Sequence, residues 1–254
     1  MTKKSRNDCL ATKVRNLEAD SQLRQRLHRS LSWLKRAASE RDVDARYIFL
    51  WIAFNAAYAV DRKPKGERKE HKLDERERFA EYLRRVTSLD TEGRILVDLR
   101  SKLAEPILEL VKNKYVSRAF WDSVSDEPFD WVAWERKSPL NSEREDTERR
   151  LGLGNPHTLM EAKLRGIGVR GAEDAAILLT RVFDRLYLLR NQLMHGCATQ
   201  DGALNRRQVK CGAEILTGVI PLFLGIMLDQ PEEEWGPIPY PAREDIREDG
   251  RERR

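Results

Sequence analysis

After Arg46, the stretch "ARYIFLWIAFNAAYAV", residues 45–60, is apolar all around a helix except at Asn55. A helix on the surface of a globular protein carries one apolar stripe, so this pattern predicts a helix buried on every side. We therefore expect residues 45–60 to form the central helix of the fold. The most apolar run, Tyr47 to Val60, is shorter than the roughly 20 residues that span a bilayer. Charged residues flank it on both sides, so the sequence predicts no membrane segment.

Further helical segments surround this helix in the sequence. Leucines recur at helical spacing from Leu23 to Leu34, which predicts a first helix ahead of the central one. Later helices are predicted through Phe79, Tyr82 and Val86, from 94 to 112 with a kink or split at Pro106, from 172 to 195, and from 205 to 228. No strand pattern of any length competes with these segments. The predicted class is all-α, an antiparallel helical bundle with charged inserted loops and extra helices.

Four regions of the chain lack a clear helical pattern. Residues 1–20 are polar and are expected to be a flexible N-terminal segment. The mixed-charge run at 61–78 predicts an exposed loop that leads into a helix. Residues 137–155 are charged, contain glycine and are predicted to be an insertion, and residues 231–254 are predicted to be a charged C-terminal tail.

The composition limits which kinds of partner and which cellular compartment can be expected. Lysine and arginine number 47 against 42 aspartates and glutamates, so the net charge is only +5 and the two signs are interspersed. Such a surface permits a polyanionic partner but does not require one. The three cysteines have no paired spacing, and no apolar segment follows the start "MTKKSRND" to serve as a signal peptide. These features predict a reducing, cytoplasmic environment.

Two motifs suggest a function, but for each of them a structural interpretation is better supported. Trp121, Trp131 and Trp134 alternate with charged residues and could stack on single-stranded bases. Tryptophans in a loop more often pin that loop to the core, and we expect this here. The run "GIGVRG", residues 166–171, matches G-x-G-x-x-G, but a dinucleotide site needs a buried strand before the glycines. The segments on both sides are predicted to be helical, so the run is interpreted as a loop that opens the next helix.

The stretch "DRLYLLRNQLMHGCAT", residues 184–199, places Arg190, Asn191 and His195 near the end of a helix that stops at Gly196. At 100° per residue, Arg190 lies at the edge of the apolar face, whereas Asn191 and His195 lie together on another side. A guanidinium that faces a core must find a carboxylate, amide, carbonyl or anion, and Asn55 is a possible neighbour.

The chemistry of these three side chains has two interpretations. A cation, an amide and an imidazole near a helix C-terminus could hold a phosphate and assist attack by a 2′-hydroxyl without a metal. Alternatively, Arg190 and His195 only stabilise the last turn, by roughly 0.3–1 kcal/mol each. A zinc site is less well supported, because His195, Cys197 and Cys211 are at most three ligands and form no C-x-x-C pair. No cofactor or metal is predicted.

The run "RNQLMHG", residues 190–196, resembles the R-N-x-x-x-H form of the R-x(4-6)-H motif of HEPN domains, helical bundles of prokaryotic toxins and abortive-infection systems. "LWIAFNAAY" in the central helix is similar to a tryptophan- and asparagine-bearing helix in one prokaryotic branch of that family. The resemblance covers about 22–60 and 172–228 and implies a HEPN-like domain over 21–230. Residues 61–171 are then an insertion relative to the core bundle.

The resemblance implies a metal-independent endoribonuclease that acts as a toxin or an antiviral defence effector. His195 would be the general acid or base, and Arg190 and Asn191 would hold the scissile phosphate, with Asn55 and Gly196 in supporting positions. It also implies an RNA substrate, a homodimer with both motifs facing one cleft, and a possible antitoxin or nucleotidyltransferase partner. Inactive members of the family imply the alternative, a non-catalytic helical module that binds RNA, a nucleotide or a protein.

Overall fold

The computed structural model describes residues 3–18, 21–61, 74–116, 164–165, 171–203 and 205–241. Over these residues the chain forms eight α-helices, one short 3-10 turn and no strand, so the predicted all-α class is confirmed. The helices are α1 (Lys3–Arg15), α2 (Gln22–Ser39), α3 (Val43–Tyr58), α4 (Glu75–Ser88), α5 (Arg94–Ser101), α6 (Ala104–Lys112), α7 (Ala172–Met194) and α8 (Arg206–Asp229), and the 3-10 turn is Lys114–Val116.

Helices α2 and α3 form an antiparallel hairpin. The side chain of Ser21 caps α2, and that of Asp42 caps α3 by accepting the Ala45 N–H at 2.7 Å. Across the hairpin, the Ser30 hydroxyl donates to the Ala53 carbonyl at 2.8 Å. This bond is buried, and it fixes the register of the two helices because no water competes for either group.

Helix α3 is the centre of the core, as predicted. Phe54 lies 4.5 Å from Phe183 of α7 between ring centroids and 6.4 Å from Phe223 of α8. One part of the prediction is wrong: α3 is not buried on every side, because Ile48 and Ile52 on the opposite face are only half-buried. The described helices pack against one wide arc of α3 rather than around its whole circumference.

Helices α4, α5 and α6 lie within the region 61–171 and belong to the same core. Leu83, Leu99 and Ile107 are each fully buried in it. The predicted helix at 94–112 is split before Pro106, which lacks an N–H for the carbonyl four residues earlier. This part of 61–171 is therefore integral to the bundle and not an appended loop.

Helices α7 and α8 match their predicted ranges closely. Gly212 lets α8 approach α3, since a Cβ there would lie 2.7 Å from Cε2 of Tyr47 and 3.0 Å from Cδ2 of Leu186. By length and composition α8 could also cross a membrane, with a mean hydropathy of 1.9 over its most apolar window. In the bundle 67% of that window is buried, as is usual for the core helix of a folded domain.

Both ends of the described chain are folded onto the bundle, although a flexible segment is predicted for 1–20 and a charged tail for 231–254. Residues 3–15 form α1, in which Leu10 and Val14 pack into the core. Residues 231–241, here called the strap, lie along the bundle, where the buried Arg26 donates to the carbonyls of Trp235 at 3.1 Å and Gly236 at 2.9 Å. The predicted flexible segment and the first part of the predicted tail are thus both folded.

Several predictions fall outside the described residues. These are residues 62–73 of the loop predicted at 61–78, the tryptophans at 121, 131 and 134, the insertion at 137–155, most of the glycine run at 166–171, and the tail from 242 onwards. The last four residues of that predicted loop are helical, because α4 begins at Glu75.

Candidate functional site

The end of α7 has the geometry that a glycine stop predicts. His195 is the last residue before Gly196, which adopts the left-handed conformation with φ +69°. The Cys197 N–H donates to the Gln192 carbonyl at 2.9 Å, and the Gly196 N–H donates to the Leu193 carbonyl at 3.4 Å. These two bonds define a Schellman motif, so the backbone after His195 turns sharply away from the helix axis.

Arg190 and Asn191 form a pair at the same helix end. Arg190 Nη1 donates to Asn191 Oδ1 at 2.8 Å, and the guanidinium carbon lies 5.8 Å from the ring centroid of Tyr187. Burial raises the pKa of Tyr47 and of Tyr58 in α3, and the positive charge of Arg190 opposes that rise in both. The guanidinium therefore faces α3, in agreement with its predicted position at the edge of the apolar face.

His195 lies on a different side of the helix end. It is exposed, whereas Arg190 is half-buried. Within the described residues no hydrogen bond joins the imidazole to Arg190 or to Asn191. The chain thus brings the arginine and the amide into contact and leaves the histidine apart from them.

Asn55 does not make the contact that the sequence suggested. Its Oδ1 is buried without a hydrogen-bond partner among the described residues, and Arg190, which can only donate, therefore does not bind it. The indole Nε1 of Trp51, four residues earlier on α3, likewise has no partner in this part of the structure. Asn55 is thus a polar residue of the central helix and not a ligand of the motif.

Asp184 lies on the helix side that also carries Asn191 and His195, but it is engaged in a structural contact. Arg76 of α4 binds its Oδ1 at 2.7 Å. Burial raises the pKa of Asp184, and the Arg76 charge opposes this. The pair joins the start of α4 to α7, and Asp184 is not available to polarise His195 eleven residues later.

A chain of side-chain amides, which the sequence did not predict, lies behind the motif. We call this chain the amide relay. Asn113 Nδ2 donates to Asn205 Oδ1 at 3.3 Å, Asn205 Nδ2 donates to Gln192 Oε1 at 2.9 Å, and Gln192 Nε2 donates to the Tyr115 carbonyl at 3.2 Å. The relay connects the end of α6 and the 3-10 turn to the last turn of α7. One signal was readable: an asparagine at the start of a predicted helix is a cap candidate.

A second contact holds the loop that follows His195. Arg206 binds both carboxylate oxygens of Asp44, at 2.8 and 2.9 Å, and the Asp201 N–H donates to Asp44 Oδ2 at 2.9 Å. Burial alone would raise the pKa of Asp44, but these hydrogen bonds and the Arg206 charge outweigh burial and lower it. The loop at 196–205 is therefore attached to α3 on one side and to the amide relay on the other.

The described residues contain no group of three or more histidine, cysteine or acidic side chains that could hold a metal ion. Cys197 is exposed and Cys211 is half-buried, and both are free thiols. The weaker prediction of a zinc site at His195, Cys197 and Cys211 thus gains no support from the geometry.

No model of a known protein family, no curated protein and no solved structure matches this chain. The likeness of the motif to HEPN domains therefore rests on the residues themselves, and any function has to be argued from the site.

Proposed function

We propose that this chain is a HEPN-type, metal-independent endoribonuclease that acts as a toxin or an antiviral defence effector in the cytoplasm. One observation carries the proposal. An arginine paired with an amide stands one turn before an exposed histidine at a glycine-terminated helix end. This is the residue set that the R-N-x-x-x-H motif requires, and its histidine is exposed while the arginine and the amide are half-buried.

Each side chain has a chemical role in the proposed reaction. Because Asn191 Oδ1 accepts from Arg190, its Nδ2 remains as a donor beside the guanidinium. Together they can bind the non-bridging oxygens of a phosphodiester. His195 removes the proton of the 2′-hydroxyl or protonates the leaving 5′-oxygen, and water takes or supplies the other proton. The 2′-oxygen then bonds to phosphorus as the P–O5′ bond breaks, which yields a 2′,3′-cyclic phosphate and a 5′-hydroxyl.

The proposed site needs two copies of the chain. Five positions separate Arg190 from His195, which places them about 140° apart around α7. A two-fold axis beside the helix end would bring the arginine of one copy towards the histidine of the other. Met194 is 54% exposed next to His195 and would lie near such an axis. A homodimer with RNA in the shared cleft, restrained by an antitoxin or a nucleotidyltransferase, is part of the proposal.

An RNA cleavage assay in EDTA tests the proposal. We expect wild type to cut RNA and His195→Ala to lose about 10²–10⁴-fold in rate, the usual contribution of a general acid or base. His28→Ala is the matched control, because His28 is also exposed but lies on α2. Equal cleavage by wild type and His195→Ala would remove His195 from the mechanism.

The separation of Arg190 and His195 supports a second candidate, a non-catalytic module that binds RNA, a nucleotide or a protein through this face. It predicts no cleavage of any RNA by a dimeric or monomeric preparation. Binding should nevertheless weaken when Arg190 is changed to alanine. Cleavage that depends on His195 excludes this alternative.

A further inference from the structure

The side chain of Asn205 is used in an unusual way. Asn205 directly precedes α8, where asparagine normally caps the helix by accepting one of its first N–H groups. Here it makes no such bond. Its φ is +54°, a left-handed conformation that asparagine adopts more readily than most residues with a Cβ. The residue therefore forgoes a cap hydrogen bond at the start of α8.

The side-chain amide of Asn205 forms hydrogen bonds in the amide relay instead. It is 7% exposed, and it joins Asn113, directly after α6, to Gln192 of α7 with one acceptor and one donor atom. Gln192 is the residue whose main-chain carbonyl accepts the Cys197 N–H in the Schellman motif. The side chain and the carbonyl of Gln192 thus hold the last turn of α7 and the backbone turn that carries His195.

We propose that Asn205 is a positioning residue for His195, acting through Gln192. The relay anchors the last turn of α7 to α6 and the 3-10 turn, while Asp44 holds the far side of the loop through Arg206. His195 itself has no side-chain partner among the described residues, so its direction depends on this backbone support. The inference rests on the proposed ribonuclease function for its catalytic part and on geometry alone for its structural part.

Isosteric substitutions cut the relay one bond at a time. Asn205→Asp keeps the acceptor for Asn113 but replaces the donor to Gln192 by an oxygen. Gln192→Glu keeps the acceptor for Asn205 and removes the donor to the Tyr115 carbonyl. Asn205→Gly removes both amide bonds while retaining the left-handed backbone, which glycine adopts without strain. Asn16→Asp, at an exposed position after α1, is the control for the change in charge.

Two measurements are made on each variant. Amide hydrogen exchange is expected to accelerate at least about tenfold at Gly196 and Cys197 in Asn205→Asp and Asn205→Gly, while the buried middle of α7 keeps its protection. In RNA cleavage, kcat is expected to fall about tenfold or more at an unchanged KM, because a displaced His195 affects the chemical step and not RNA binding. Asn16→Asp should match wild type in both.

The outcomes separate the two proposals. Exchange and kcat that both match wild type in Asn205→Gly overturn the positioning role. Faster exchange with an unchanged kcat also overturns it, because the relay would then stabilise the loop without orienting His195. If wild type cleaves no RNA, the ribonuclease function fails, and if His195→Ala cleaves as well as wild type, the catalytic role of His195 fails. In either case the exchange measurement still decides whether Asn205 holds the turn.

Discussion

Replacing Arg26 by methionine tests whether one buried guanidinium holds the strap on the bundle. Arg26 is 1% exposed and donates to four main-chain carbonyls, two at the end of α3 and two in the strap. Burial lowers its pKa to about 10, so the side chain stays charged at neutral pH and each bond is charge-assisted. No carboxylate forms a salt bridge with it in the described part of the chain.

The expected loss of stability follows from the carbonyls that are left without a hydrogen-bond donor. Methionine keeps most of the apolar stem but leaves the Ala57 and Trp235 carbonyls, which are bound in buried surroundings, without a partner. Each orphaned buried carbonyl costs about 1–3 kcal/mol, and removal of a buried charge offsets part of that cost. We expect the free energy of unfolding to fall by about 3 kcal/mol, or about 6–12 °C in Tm.

Urea unfolding followed by circular dichroism measures this loss. Arg29→Met is the matched control, because Arg29 also binds strap carbonyls, those of Pro239 and Tyr240, but at the edge of the bundle. It should lose less than about 1 kcal/mol, since water can replace its bonds. If Arg26→Met and Arg29→Met are equally stable, the strap is not held by the buried guanidinium and the reasoning is refuted.

Two further substitutions test other contacts. Asp44→Asn should lower stability at neutral pH by about 1–3 kcal/mol. The folded-state pKa of Asp44 lies below the ordinary 3.8, so this deficit should disappear in urea titrations as the pH falls through that lowered pKa, and a deficit that persists in acid would count against the Arg206 contact. Gly212→Ala should destabilise by about 1–3 kcal/mol through the clash with Tyr47. Gly225→Ala, whose nearest neighbour is 3.9 Å away, should be neutral or stabilising in the same thermal melts.

Local sequence patterns predicted those helix positions and helix ends that depend on neighbouring residues. The periodic leucines predicted a helix in the region of α2, and Gly196 predicted the end of α7 because a left-handed residue is the usual way to end a helix. Pro106 gave the break between α5 and α6 because it has no N–H to continue the ladder. In each case the signal and its structural effect lie within a few residues of one another.

The strap and the amide relay were not predictable in the same way. The partners of Arg26 are main-chain carbonyls, which every residue has and which leave no trace in the sequence. Asn205 carried a readable signal, but the signal favoured a helix cap, whereas tertiary contacts recruited its amide for Gln192. From Arg6 to Arg15 of α1, the buried residues are Leu10 and Val14, too few for the composition of this polar segment to reveal a docked helix.

The contact between Arg26 and the strap also has a consequence for the timing of folding in the cell. Arg26 and Trp235 are 209 residues apart. At a translation rate of about 5–20 residues per second, roughly 10–40 s pass between the synthesis of the arginine and that of its last partners. During that interval the α2–α3 hairpin can form, but its guanidinium lacks half of its acceptors. The bundle is therefore completed only after the strap has left the ribosome.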